Sequence, residues 1–154
     1  MKRTVSIFMC LVLLSMAFVL GSGMTANASG NATATFLYGY GNAGSGYLDC
    51  NGMIVSMAPA PGMDTQKWVI TDYGSYCTIF CPYLGASGAY LSAELSSTYL
   101  YQPTLSGDVT EQAKWVFVDC GYLYNVYYNM YLTFEPNVLY LTNSIQTNWM
   151  RAPI

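Results

Sequence analysis

The chain has 154 residues and few charges, with 5 basic and 8 acidic residues, no histidine and a formal net charge of −3. Because so few cations cannot neutralise phosphates or anionic lipids, the composition excludes a nucleic-acid-binding protein and a polybasic membrane patch. The absence of histidine removes the commonest general base and a common zinc ligand, so neither a metal nor another cofactor is expected. Instead, 15 tyrosines and 3 tryptophans favour strands and contacts with polar ligands.

The N-terminal segment has the three parts of a secretory signal peptide. Lys2 and Arg3 precede an apolar run over residues 5–20, and residues 26–28 read Ala-Asn-Ala, which fits the small-residue rule for cleavage. A retained membrane anchor would need about 20 apolar residues, which is more than this run provides.

We therefore expect residues 1–28 to be removed and the secreted chain to begin at Ser29, with no membrane insertion after processing. Residues 29–154 are long enough for a single domain with its own core. Loss of the two N-terminal cations changes the formal net charge from −3 to −5.

Four cysteines remain in the mature chain: Cys50, Cys77, Cys81 and Cys120. In a continuous strand, Cys77 and Cys81 would lie about 13 Å apart, which is too far for a disulfide between them. The spacing C-x3-C without any histidine is also a poor zinc signature. We expect structural cysteines, either free or disulfide-paired, and the sequence leaves the pairing open.

Helix signals are nearly absent after residue 28, because Gly, Pro, Asn, Asp and Ser interrupt the chain every few residues. The short runs between them are rich in Tyr, Val, Ile, Thr and Phe, as is typical of strands. We predict twelve strands: residues 35–40, 47–50, 54–57, 68–71, 76–80, 90–93, 98–102, 115–118, 123–128, 131–134, 138–142 and 149–151.

The twelve predicted strands fall into three sets of four, because one pattern recurs roughly every 40 residues. In each set an apolar pair ending in leucine is followed, about 20 residues later, by a tryptophan. The predicted structural core pairs are Leu48 with Trp68, Leu91 with Trp115, and Leu132 with Trp149. Three such units around an axis share one core and leave few open edges. A β-sandwich also has many short strands, but it does not predict a threefold recurrence.

Residues 36–70 resemble a repeat of the ricin-type β-trefoil lectins. The likeness consists of an aromatic-aliphatic strand, a Ser-Gly turn at Ser45, a Tyr-Leu-Asp sequence ending at Asp49, and a Q-x-W motif beginning at Gln66. The second unit carries a motif that is one residue longer, and the third keeps only Trp149. The resemblance covers essentially all of residues 29–154. It implies an all-β, β-trefoil fold of three pseudo-repeats and a non-catalytic, lectin-like protein that binds a glycan or polysaccharide.

The resemblance also implies which residues bind the sugar. Asp49 corresponds to the sugar-binding aspartate, while Asp64 and Gln66 lie just before the tryptophan, where they would hold the sugar or orient the aspartate. Ser92 and Thr133 occupy the place of Asp49 in the other two units. A carboxylate suits this role because it accepts hydrogen bonds from two neighbouring hydroxyl groups.

Each of these residues also has a structural interpretation. Asp49 could support the turn at residues 51–52, since aspartates often do so beside turns. Gln66 could bond buried backbone groups. The stretch over residues 55–63 contains no aromatic ring against which a sugar could pack.

The sequence does not indicate an enzyme, because it has no G-x-S-x-G motif and no carboxylate pair whose spacing places both groups in a cleft. The alternative to a lectin is a β-trefoil protein-interaction module, such as a protease inhibitor or a toxin-associated subunit. That hypothesis predicts that a long loop over residues 103–113 contacts a protein partner. Residues 88–94 also resemble a fascin-like trefoil, but secretion argues against a role in bundling actin inside a cell.

Overall fold

The computed structural model describes residues 30–42, 44–52, 54–85, 87–118, 121–135 and 138–154. The described chain confirms the all-β prediction, since it contains twelve strands and two single-turn 3-10 helices, at Asp64–Gln66 and Glu111–Ala113. The predicted signal peptide, Cys120 and the predicted turn at residues 136–137 lie outside the described residues. Within these ranges, no helix has the length and apolar character needed to cross a membrane.

The strands follow one another with short connections and overlap all twelve predicted segments. Their bounds are β1 Asn31–Gly41, β2 Gly44–Asn51, β3 Ile54–Ala58, β4 Lys67–Asp72, β5 Cys77–Cys81, β6 Ala89–Leu95, β7 Tyr101–Ser106, β8 Trp115–Val118, β9 Tyr122–Asn125, β10 Met130–Glu135, β11 Val138–Thr142 and β12 Thr147–Ala152.

Strand β7 is displaced along the sequence from its predicted position at residues 98–102. A turn precedes it, in which the Ser96 hydroxyl accepts a hydrogen bond from the backbone N–H of Leu100 at 3.2 Å, and Tyr99 adopts a φ of 61°. The strand then continues through Pro103, which is tolerated because β7 is an edge strand that pairs with β6 alone among the described strands. The predicted loop at residues 103–113 is correspondingly shorter.

Strand β9 ends at Asn125, three residues before its predicted end. The Asn125 side chain accepts a hydrogen bond from the backbone N–H of Tyr128 at 3.1 Å and donates one to the Gln112 carbonyl at 2.8 Å. These bonds replace the strand ladder with a turn, a competition that is typical of asparagine.

Six strands form a ring. Strands β1, β4, β5, β8 and β9 are consecutive neighbours, and β12 pairs with β1. The backbone N–H of Trp149 in β12 donates to the carbonyl of Gly121, beside β9, at 2.7 Å. The ring therefore has few unpaired edges, which is how all-β domains avoid edge-to-edge association.

The remaining six strands form three hairpins, β2–β3, β6–β7 and β10–β11. Their second strands β3, β7 and β11 contact one another, so the three hairpins meet. In the described chain, each of these second strands is hydrogen-bonded on one side only. The meeting point of the hairpins is therefore lined by strand edges.

One contact is repeated in all three units. In each unit the indole N–H of the tryptophan donates a hydrogen bond of 2.9 Å to the backbone carbonyl of the paired leucine. The pairs are Trp68 with Leu48, Trp115 with Leu91, and Trp149 with Leu132. All six residues are buried in the same core. Tryptophan suits this position because it buries a large apolar ring and still satisfies its single donor.

A disulfide joins Cys50 in β2 to Cys81 at the end of β5. It links the first unit to the second, and it gives Cys50 a partner that the sequence left open. Cys77 is a buried thiol, and its pKa is raised to about 11, chiefly by burial. A neutral thiol of this kind is a core residue rather than a nucleophile.

Candidate functional site

The residue after each core leucine is polar and buried. Because successive side chains in a strand alternate between its two faces, Asp49, Ser92 and Thr133 point away from the core. They are nevertheless only 5%, 3% and 0% exposed. In the first two units the 3-10 helix that precedes the tryptophan packs on the strand, at β2 and at β6. In these two units the strand that carries the polar residue is therefore packed against the chain that precedes the tryptophan.

Asp49 is exceptional among these three because it is a carboxylate. Its Oδ1 is buried and has no hydrogen-bond partner among the described residues. A buried carboxylate oxygen without a donor is costly, by about 1–3 kcal/mol or more for a charged group. Across the hairpin, Ser56 lies directly opposite Asp49, and neighbouring Val55 and Met57 pack against the core. Asp49 and Ser56 thus share the outer face of the hairpin.

Gln66 belongs to the 3-10 helix that precedes Trp68 and is 1% exposed. Its amide nitrogen donates to the Ala60 carbonyl at 3.2 Å, and its amide oxygen accepts from the backbone N–H of Met63 at 3.2 Å. Both ends of the side chain are therefore used to fold residues 60–66 into a compact turn over β2. The structure thus packs the turn that contains Gln66 on β2, but both polar ends of the Gln66 side chain bind backbone groups.

Asp64 lies at the exposed rim, where its Oδ1 accepts a hydrogen bond from the Lys67 ammonium at 2.7 Å. This bond raises the pKa of Lys67. The second unit repeats the ion pair with Glu111 and Lys114. The second unit thus keeps the ion pair although it has Ser92 in place of Asp49. The ion pair is therefore part of the repeated framework and is not specific to the first unit.

The third unit differs from the first at two positions. Thr133 stands in place of Asp49, and its hydroxyl is also buried without a partner in the described chain. Directly across the hairpin lies Tyr140 instead of a serine, and its hydroxyl donates to the Glu135 carboxylate at 2.6 Å. Burial, this hydrogen bond and the Glu135 charge raise the pKa of Tyr140 to about 12.

An aromatic ring near the first unit comes from a distant part of the sequence. Phe134 in β10 lines a groove of about 440 Å³ together with Ser45 and strand β3. Local sequence inspection missed this ring because residues 55–63 contain none, and Phe134 belongs to the third unit. Only the meeting of the hairpins brings it beside β3.

Comparison with solved structures supports the coarse assignment of the fold. The chain is similar to SeviL, solved bound to the asialo-GM1 saccharide, with a TM-score of 0.53 and 20% sequence identity. The alignment covers 78% of this chain and 99% of the SeviL chain. No family model matches the sequence, and no curated protein does either. At this identity the likeness shows a common all-β fold.

Proposed function

We propose that the protein is a secreted, non-catalytic carbohydrate-binding protein with a ricin-type β-trefoil fold and one sugar site in its first repeat. The ring of six strands, the three hairpins and the three identical tryptophan contacts support the trefoil. The similarity to SeviL, which was solved with a bound saccharide, supports the class of ligand. Secretion rests on the N-terminal signal pattern.

The observation that carries this proposal is the buried Oδ1 of Asp49, which has no donor among the described residues. A sugar hydroxyl is a neutral donor that satisfies a carboxylate without bringing in a counter-charge. Hydrogen bonds to a charged acceptor contribute about 1.5–3 kcal/mol each. A buried carboxylate of this kind therefore favours binding of a polyhydroxylated ligand.

The three predicted site residues take different roles in this proposal. Asp49 accepts hydrogen bonds from the sugar, and Asp64 offers a second acceptor at the exposed rim. Gln66 is a positioning residue, because its two backbone hydrogen bonds set the path of residues 60–66, whose 3-10 turn packs on the strand of Asp49.

A glycan array tests the proposal, with the protein recovered from the culture medium and its N-terminus sequenced, which should begin at Ser29. Binding is expected in the presence of a calcium chelator, since no three His, Cys, Asp or Glu side chains among the described residues are clustered so as to hold a metal ion. Asp49→Asn is expected to lose at least about tenfold in affinity, the equivalent of one charged hydrogen bond. Asp108→Asn makes the same chemical change at an exposed aspartate and should bind normally.

Two results would overturn the proposal. One is a well-folded protein that binds no glycan on the array and no insoluble polysaccharide in a pull-down. The other is an Asp49→Asn variant that binds as tightly as the unmodified protein.

A further inference from the structure

Two adjoining pockets, together called the groove, lie where the three hairpins meet. One part, of about 440 Å³, is lined by β3 and by Phe134. A second part, of about 200 Å³, is lined by residues of β6 and β7. Both parts share the walls formed by Ile54, Val55 and Leu139. All three units therefore contribute to the groove, and its larger part alone has the volume of a small-molecule site.

The larger part combines an apolar surface with hydroxyl groups. Phe134 supplies an aromatic ring, and Ser45 and Ser56 supply hydroxyls. Strand β3 runs along this part with one edge unpaired in the described chain, so its backbone also offers donors and acceptors. A ring beside scattered hydroxyls matches a pyranose, which has an apolar face and a polar circumference.

The smaller part is more polar. Glu94 and Gln102 lie opposite each other in the β6–β7 hairpin, and the Gln102 amide donates to the Glu94 carboxylate at 3.0 Å. This bond fixes both side chains and leaves one carboxylate oxygen, one amide oxygen and one N–H free for a ligand. Thr104 adds a hydroxyl.

We propose that this groove, which Ser56 lines and Asp49 does not, is a second carbohydrate site that binds a neutral oligosaccharide of two or more units. The choice of ligand class rests on the proposed function. One sugar unit packs on Phe134, and the next hydrogen-bonds with Glu94 and Gln102. None of the described residues that line the groove is a lysine or an arginine, and the Glu94 charge repels acidic sugars.

Nuclear magnetic resonance titration of the Asp49→Asn variant tests the inference, because that variant lacks the first proposed site. The probes are lactose, chitotriose and maltotriose, with galactose and glucose as single sugars and sialyllactose as the acidic counterpart. At least one neutral oligosaccharide is expected to shift the backbone amides of Phe134 and Gln102. It should bind about tenfold more tightly than the single sugars, and sialyllactose should bind more weakly than lactose.

Two variants and one control locate the binding. Phe134→Leu keeps the apolar volume but removes the flat ring, and Gln102→Met removes the amide. Each is expected to weaken oligosaccharide binding by about tenfold in the Asp49→Asn background. Phe117→Leu, at a half-buried ring beside Arg151, is the matched control and should have no effect. Gln102→Met keeps the test decisive if Phe134→Leu folds poorly.

The outcomes separate this inference from the proposed function. If the unmodified protein binds glycans and Asp49→Asn abolishes all binding, the groove is not a site while the proposed function stands. If shifts appear but both variants retain full affinity, the groove is again excluded. If the unmodified protein binds no glycan at all, both proposals fail.

Discussion

The first and third units differ at one pair of facing positions. In the first unit, Asp49 faces Ser56, while in the third unit Thr133 faces Tyr140. Both hairpins have the same buried tryptophan contact behind them. At this pair of positions the first unit therefore has a carboxylate but no aromatic ring. The third unit has the aromatic ring of Tyr140 but no carboxylate.

This difference shows that the repeated leucine–tryptophan framework does not determine which side chains lie on the outer face of each hairpin. A threonine hydroxyl buried without a partner costs less than a carboxylate in the same situation, because the carboxylate loses the hydration of a full charge. The third unit can thus keep Thr133 buried with no ligand. In the first unit, by contrast, a ligand that donates a hydrogen bond to Asp49 would offset the cost of burying its carboxylate.

The largest expected effect on stability comes from removing the buried tryptophan that the first and third units share. Trp68→Ala and Trp149→Ala should each lower the free energy of unfolding by about 4 kcal/mol, through lost ring burial and an unsatisfied leucine carbonyl. Denaturant unfolding, with the disulfide intact, measures this change. Trp→Phe at the same positions keeps a ring and should cost less, about 1–3 kcal/mol. A loss below about 1 kcal/mol at either tryptophan would show that the units are not equivalent.

A smaller effect sharpens the difference between the units. Thr133→Val removes the unpartnered hydroxyl at nearly constant volume, so the free energy of unfolding should stay the same or rise by up to about 1 kcal/mol. Glycan affinity should be unchanged, whereas Asp49→Asn is expected to reduce it by at least about tenfold. Titration calorimetry with a glycan selected on the array provides the comparison. Equal losses of affinity in both variants would contradict a site confined to the first unit.

The smallest expected effect concerns Tyr140 and pH. Because the pKa of Tyr140 is raised to about 12 in the folded protein, above its ordinary value of 10.0, the folded state holds this proton more tightly. The stability that results is fully present below about pH 10 and is lost as the pH rises through about 12. Tyr140→Phe should remove this part of the alkaline loss, measured as unfolding free energy at about pH 9 and about pH 11.

Glu135→Gln is the control for this titration. It removes the negative charge but keeps burial and leaves an amide oxygen that can still accept the hydrogen bond of Tyr140, so the pKa of Tyr140 should fall and yet stay above its ordinary value. An unchanged tyrosinate titration in Glu135→Gln would show that the carboxylate has no part in the shift.

Much of the framework could be predicted from the sequence. Strand periodicity and the recurrence of leucine and tryptophan located all twelve strands, because these signals are local and repeat. The errors at β7 and β9 came from side chains that compete with the backbone for hydrogen bonds. Ser96 and Asn125 make turns where strand-forming residues continue, and composition does not reveal such a competition.

Asp49 could be selected from the sequence because it departs from the repeated pattern, but its environment could not. Its burial without a partner depends on tertiary packing, including that of the Asp64–Gln66 turn on β2. In the same way, the choice of Cys81 as the partner of Cys50 depends on where β5 lies beside the first hairpin. Spacing alone does not carry this information.

The sequence by itself determined the all-β class, the twelve strands and the three core pairs, because alternation and repetition are properties of neighbouring residues. Only the tertiary structure decided which groups meet at the centre of the three hairpins. Phe134, Gln102 and Ile54 lie far apart along the chain, and the closure of the six-strand ring brings their hairpins together. Contacts of this kind depend on the packing of whole units, which no local pattern encodes.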